Sequence, residues 1–261
     1  MKKGKFIVID GLDGVGKGVL ESELIGFYED SGRRVFDSIS WCKAHPGERP
    51  DVSLLNGYDA VLTAEPTYSG LGLDIRRTLI ANKNKGKYLS GTLLRSYGLD
   101  REIQMKGLVV PAVERGFDDI QSRSLITSLC YQTLNAEDEG RDPVKVRQEI
   151  LDNPGNVYQL KHAPDLMIIP TIGNIDELIR RLGVRDKKDD AIFEKKEFLE
   201  RAKGQYESGW VREILEGVGC SVAYLDAGIS IESSRRQVRE LYNGWISTGK
   251  ILDRYSKIPG S

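Results

Sequence analysis

Phe6-Ile7-Val8-Ile9 runs through Asp10 directly into Gly11-Leu12-Asp13-Gly14-Val15-Gly16-Lys17. A short β-branched strand that breaks on closely spaced glycines and re-forms as a helix leaves few folds open. It sets the strand in a parallel sheet and aims the positive end of a helix at whatever the loop holds. Gly11, Gly14 and Gly16 can adopt positive φ, which turns successive N–H groups inward. With Val15, Lys17, Gly18 and Val19 they form a Gly-x-x-x-x-Gly-Lys cradle for phosphate, from which Lys17 reaches the β/γ oxygens of ATP. One position departs from the pattern. Ser or Thr, whose hydroxyl ligates Mg²⁺, is expected after the lysine, and Gly18 has no side-chain oxygen.

The remaining composition narrows the setting. At 261 residues and 39% hydrophobic content, the chain suffices for a single α/β domain with insertions. Its 38 Lys+Arg balance 39 Asp+Glu, so bulk charge gives no reason to expect a nucleic-acid partner. Cys42, Cys130 and Cys220 are odd in number and far apart, which argues for reduced thiols over a disulfide frame or a zinc site. The basic start is followed by an apolar run too short for a signal peptide or a membrane span. A soluble cytoplasmic protein with no membrane partner is the expectation.

Helical spacing of Val19, Leu20, Leu24, Ile25 and Phe27 continues the loop into a helix ending at Ser31-Gly32. Strands are expected at 35–40, 60–63, 117–121, 166–170 and 221–225, and helices at 70–80, 88–115, 174–182, 191–216 and 231–247. The segment 41–58, rich in Pro, Gly, Asp and Glu, reads as an insertion. The alternation predicts a three-layer α/β/α architecture around a parallel sheet of about five strands, with ligands at the carboxyl ends of the strands. One strand conflicts with this scheme. Asp118 and Asp119 fall where a central parallel strand should be apolar, so they precede its buried part, or have cationic partners, or the strand is displaced.

Several segments, in order, resemble thymidylate kinases, a family of P-loop nucleoside monophosphate kinases. They are the phosphate loop, Thr63-Ala64-Glu65-Pro66 with Leu71-Gly72 and Ile75-Arg76, Leu93-Leu94 leading to Asp100-Arg101, Arg123 with Thr127 through Gln132, and Pro164-Asp165-Leu166. The resemblance implies phosphoryl transfer from ATP, with Mg²⁺, to a deoxynucleoside monophosphate, dTMP first. It places Asp13 at the acceptor sugar, Arg101 near its base, Arg123 on its phosphate, and Thr127, Tyr131 and Gln132 around the base, with Glu65, Pro66 and Arg76 also in the acceptor site. A guanidinium fork suits a phosphate chemically, because it neutralises the charge that repels a second polyphosphate. The resemblance also implies a lid over 180–194, whose Arg181 and Arg185 are the candidates to cover the transferring group, and a homodimer formed through helices.

Three positions near phosphate differ from the family pattern: Gly18; Ser122, where Asp is expected before the arginine; and Ala64, where a basic residue is expected. Asp10 is a candidate to hold the metal through water. These departures keep two other readings open: a catalytically weak nucleotide-binding sensor, and a kinase whose acceptor differs because the 41–58 insertion reshapes the pocket.

Overall fold

The computed structural model describes residues 2–84, 86–183 and 196–259. Among the described residues one parallel sheet holds six strands, each at an expected segment: β1 Phe6–Ile9, β2 Val35–Asp37, β3 Ala60–Ala64, β4 Asp118–Ser122, β5 Leu166–Thr171 and β6 Ser221–Asp226. Their spatial order is β2-β3-β4-β1-β5-β6. The longer helices are α1 Lys17–Asp30, α2 Ser38–Ala44, α3 Ser90–Gln104, α4 Pro143–Asp152, α5 Pro154–Lys161, α6 Ile175–Gly183, α7 Lys196–Tyr206, α8 Gly209–Gly217 and α9 Ile231–Thr248. A helical run over 125–138 follows β4.

The period-2 alternation of each strand divides the core between the two faces of the sheet. Ile7, Ile9, Ile120 and Ile168 face α1 and α9, which bury Leu20, Leu24, Tyr28, Val238, Leu241 and Tyr242 against them. Phe6, Val8, Met167 and Ile169 face the other layer, built from the helical run after β4, the end of α3, and α7 and α8. These layers realise the expected α/β/α architecture. From β1 the chain crosses to the edge at β2 and returns through β3 to β4 beside β1, then passes to β5 and β6 on the other side, so the phosphate loop leaves β1 where the two halves of the sheet meet. Crevices at such points are where open α/β sheets bind ligands.

Local chemistry explains where the elements depart from expectation. β2 stops at Asp37 because that carboxylate accepts hydrogen bonds from the N–H groups of Ile39 and Ser40, capping α2 instead of extending the strand to 40. The run expected as one helix over 191–216 is described from Lys196 and breaks at Glu207-Ser208 into α7 and α8. α3 starts at Ser90 and continues through a wider turn, Met105–Val109, into Val110–Glu114.

β4 is in place, hydrogen-bonded to β1 and β3, and its two carboxylates are accommodated differently. Asp118 accepts from the Lys5 N–H at 2.6 Å, the Tyr28 hydroxyl at 2.7 Å and Arg33 at 3.3 Å. Asp119 is fully buried; its Oδ1 accepts from the Thr63 hydroxyl at 2.7 Å, and its Oδ2 has no partner. Burial pushes the Asp119 carboxyl up to about 8, aided by the nearby Glu65 and Asp118 charges, so it is held as the neutral acid.

Candidate phosphate-binding and acceptor site

The phosphate loop closes as its glycines require. Gly14 and Gly16 have φ of 83° and 102°, and Gly16 caps the N-terminus of α1. A Cβ on Gly14 would come within 2.8 Å of Leu182 Cγ, so the end of α6 packs directly on the loop. Lys17 folds back over this loop, and its Nζ donates to the carbonyls of Gly11 at 2.8 Å and Leu12 at 2.7 Å. Burial, with the Arg123 charge second, lowers the Lys17 ammonium to about 8. Gly18 is exposed, and a Cβ there would meet nothing within 4 Å.

Asp10 is buried at the end of β1. Its carboxylate accepts hydrogen bonds from the Gly11 and Thr127 N–H groups and from the hydroxyls of Ser124, Thr127 and Tyr206, at 2.6–3.1 Å. It therefore ties the phosphate loop to the helical run after β4 and to α7. The Thr127 hydroxyl, expected near an acceptor base, is engaged on Asp10.

Arg123 follows β4 with φ of 66°, the left-handed region that residues with a Cβ adopt infrequently and that surrounding contacts must hold. Its N–H donates to Ile9 O at 2.9 Å and its carbonyl accepts from Gln121 Nε2 at 2.8 Å, which hold that conformation. The guanidinium thereby meets Asp13 of the phosphate loop in an ion pair. The Asp13 N–H donates to the Tyr131 hydroxyl at 3.1 Å, so loop, arginine and tyrosine form one unit.

A second arginine is deeper. Arg101, 1% exposed, pairs with Glu65 at 2.6 Å and also donates to Asn156 and to the Ser128 hydroxyl. Glu65 accepts from Gln121 and Gln159 through its other oxygen. Burial pushes the Glu65 carboxyl up despite Arg101 beside it. Arg76 donates to the Pro66 carbonyl and stacks 3.9 Å above the Tyr68 ring. Gln132 is buried; it donates to Ser128, and its Oε1 is left without a partner. Arg181 is bound to Glu177 and to the Ala227 carbonyl, both at 2.8 Å. Arg185 and most of the expected lid, 184–194, lie outside the described residues.

Two side chains of this site escaped the sequence reading. Tyr97 stands amid Arg123, Arg76, Asp13 and Arg101, and burial pushes its hydroxyl up to about 12. Helical spacing over 88–115 puts it among the apolar positions, which its ring also satisfies. Glu21, on α1, has a buried Oε1 with no hydrogen-bond partner. Its position four residues beyond Lys17, on the same side of the helix, was the available signal.

Behind Pro66, a recess of about 240 Å³ opens between α2, the 67–69 loop and the 103–108 part of the long helix. Cys42, Arg49, Pro50 and Asp51 of the 41–58 segment form one of its walls.

A glycine cradle at the reversal point of a parallel sheet, with a lysine at its helix end and an arginine facing it from the next strand, defines a P-loop nucleotide-binding protein. A family profile described as Thymidylate kinase matches residues 53–238. A thymidylate kinase of Synechococcus sp. (strain CC9605) is 26% identical over 238 residues, 91% of this chain and 98% of its own length. A probable thymidylate kinase of Pyrococcus horikoshii is 31% identical over 187 residues, 70% of this chain and 72% of its own. The chain belongs to the thymidylate kinase family, a family of P-loop nucleoside monophosphate kinases.

Proposed function

We propose that the protein transfers the γ-phosphoryl group of ATP to the phosphate of a deoxynucleoside monophosphate, dTMP before others. The observation that carries this reading is the Arg123–Asp13 pair, held by a left-handed backbone at the lip of the phosphate loop, where a second phosphate must come to meet the first.

The loop N–H groups and the α1 N-terminus bind the donor phosphates. Lys17 exchanges its two carbonyl partners for β/γ oxygens when ATP enters. Arg123 holds the acceptor phosphate, and an oxygen of that phosphate attacks in line. Its charge makes it a sufficient nucleophile, so no general base is assigned and no covalent enzyme intermediate forms. Asp13 keeps Arg123 aimed before the acceptor arrives and faces its sugar afterwards. The Tyr97 ring and Gln132, with its unpartnered oxygen, supply a flat face and an amide for a pyrimidine. Arg101 and Glu65 act from beneath as a rigid floor. Pro66 and Arg76 close the adjoining wall, and Thr127 acts through Asp10 and Tyr131 through Asp13.

The whole chain is read as one catalytic domain, with 41–58 an insertion and 180–194 a lid. Arg181 reaches the transferring group only after leaving Glu177 and the Ala227 carbonyl, and Arg185 is its alternative. Mg²⁺ bound with ATP would neutralise charge on the β/γ oxygens. Gly18 offers it nothing and the Asp10 lone pairs are occupied, yet the buried free oxygen of Glu21 makes the local donor set fit a hard cation. Exposed Leu99 on α3 and Leu89 just before it offer apolar surface suited to a homodimer. Among the described residues no helix is long and apolar enough to cross a membrane, and a cytoplasmic setting fits a nucleotide kinase.

The test is ADP release from Mg-ATP with dTMP and with the other nucleoside monophosphates, alongside calorimetric titration of each. Turnover that depends on dTMP and is lost in Lys17→Ala and Arg123→Ala is the expected result. Tight binding of both nucleotides without turnover would replace the kinase with a sensor.

A further inference from the structure

Glu21 lies one helical turn beyond Lys17 and on the same side of α1. Its side chain is partly covered, and its Oε1 is buried with no hydrogen-bond partner. Burial pushes the carboxyl up, opposed by Ser122, Lys17 and Arg123 nearby. A buried carboxylate oxygen without a donor is costly, so its presence within reach of the Lys17 and Arg123 charges points to a partner that arrives with the ligand.

The other carboxylates around the loop are occupied. Asp10 accepts five hydrogen bonds, Asp13 is paired with Arg123, Glu65 is paired with Arg101, and Asp119 is held neutral inside the sheet. Ala64 and Ser122 stand side by side on the β3–β4 ladder, and Ser122 is the residue that Glu21 meets. Among the described residues no group of three or more potential ligands gathers to hold a metal unaided. A nucleotide-borne Mg²⁺ needs no such cage, because it keeps several waters and is bound through one or two carboxylates plus substrate phosphates.

We propose that Glu21 is the protein-side anchor of the Mg²⁺ that enters with ATP, supplying from the second turn of α1 the oxygen that Gly18 lacks. This assignment rests on the kinase reading. Among the described residues its Oε1 is a buried carboxylate oxygen near Lys17 that no donor reaches. The role does not require Glu21 to touch either reacting phosphate.

The experiment measures Mn²⁺ affinity by electron paramagnetic resonance of the free ion, using the full chain saturated with a non-hydrolysable ATP analogue. Analogue affinity without metal is measured in parallel. Glu21→Gln preserves shape while removing the charge; it is expected to weaken Mn²⁺ about tenfold and to leave metal-free analogue binding unchanged. Glu21→Gln/Ser122→Asp, which returns a carboxylate from the facing strand, is expected to recover most of the loss. Thermal unfolding of each variant separates loss of metal from loss of fold. Unchanged Mn²⁺ affinity in Glu21→Gln overturns the anchor alone, as does an equal loss of metal-free binding. Failure of the wild-type protein to bind the analogue in either condition overturns the kinase reading and the anchor with it.

Discussion

Arg123 meets Asp13 across the mouth of the phosphate loop, and it does so from a backbone conformation that disfavours every residue but glycine, with φ of 66°. Strain of this kind persists where surrounding contacts over-determine it, and here they are the Ile9 carbonyl and the Gln121 amide. The two functions of the residue are separable. Arg123→Ala is expected to lower turnover with the acceptor roughly a hundred- to a thousandfold while retaining ATP binding. Arg123→Gly, equally inactive, is expected to be more stable than Arg123→Ala by about 1 kcal/mol, because glycine accepts the conformation freely. Thermal unfolding of the two variants compares them directly; equal stability would remove the strain argument.

At Gly18 the missing hydroxyl is a chemical absence and not a steric exclusion, since an added Cβ meets nothing within 4 Å. Gly18→Ser is expected to fold normally, to gain about 0.5 kcal/mol from better helix propensity, and to increase Mg²⁺-dependent turnover. A kcat and Mg²⁺ titration on the variant checks this. Slower turnover with an intact fold would mean that the position must stay bare for the nucleotide to enter.

The Arg101–Glu65 pair behaves differently from a surface ion pair because both groups are almost wholly buried. Removing one member strands the other's charge. Arg101→Met is expected to cost about 3–5 kcal/mol in urea unfolding, with Glu65→Gln costing less, since the amide still accepts from the arginine. A loss below about 1 kcal/mol for Arg101→Met would show that water reaches the site.

Lys17 gives a proton-linkage signature for ATP binding. Burial and Arg123 bring its ammonium down to about 8 in the free protein, and a bound polyphosphate stabilises the charged form. At pH near 8.5 part of the Lys17 population is neutral, so binding should take up protons. Well below 8 the lysine is already charged and contributes no uptake. Titration calorimetry in buffers of differing ionisation enthalpy measures the proton count at both pH values, and Lys17→Met should abolish the difference.

The contrast between loop and sheet explains what the sequence discloses. The glycine spacing and Lys17 are local, contiguous and chemically constrained, so they mark the phosphate loop unaided. The apolar runs at Leu166–Thr171 and Ser221–Asp226 mark buried strands for the same reason. Glu21 and Tyr97 are invisible to such reading, because their meaning comes from Ser122 and Arg123, distant in the chain. Arg101 is recognisable from the Asp100-Arg101 pair at the end of its segment, but its burial depends on Glu65, Ser128 and Asn156, supplied by three other segments. β2 looked longer than it is because a capping aspartate differs little in sequence from a polar strand residue until its hydrogen bonds are seen.

Asp119 carries this dependence on distant partners furthest, since an acid at the centre of a parallel sheet is stable only while protonated. Its carboxyl is raised to about 8, with burial as the main cause and Thr63 opposing it, whereas the same group in the unfolded chain titrates near 3.9. The native state therefore retains a proton that the unfolded state has lost between these two values. Its contribution to stability is fully present below the unfolded value and is lost as pH rises through 8. Asp119→Asn keeps the Thr63 contact and cannot ionise. Its stability relative to the wild type is expected to improve steadily from pH 5 to pH 8, by on the order of a few kcal/mol, and to level off above that. Differences in urea unfolding at matched pH isolate the effect, because the shared pH dependence of the other carboxylates and of the lysines cancels. A difference that stays flat from pH 5 to pH 9 would show Asp119 already ionised in the folded protein, and would require a donor for its second oxygen.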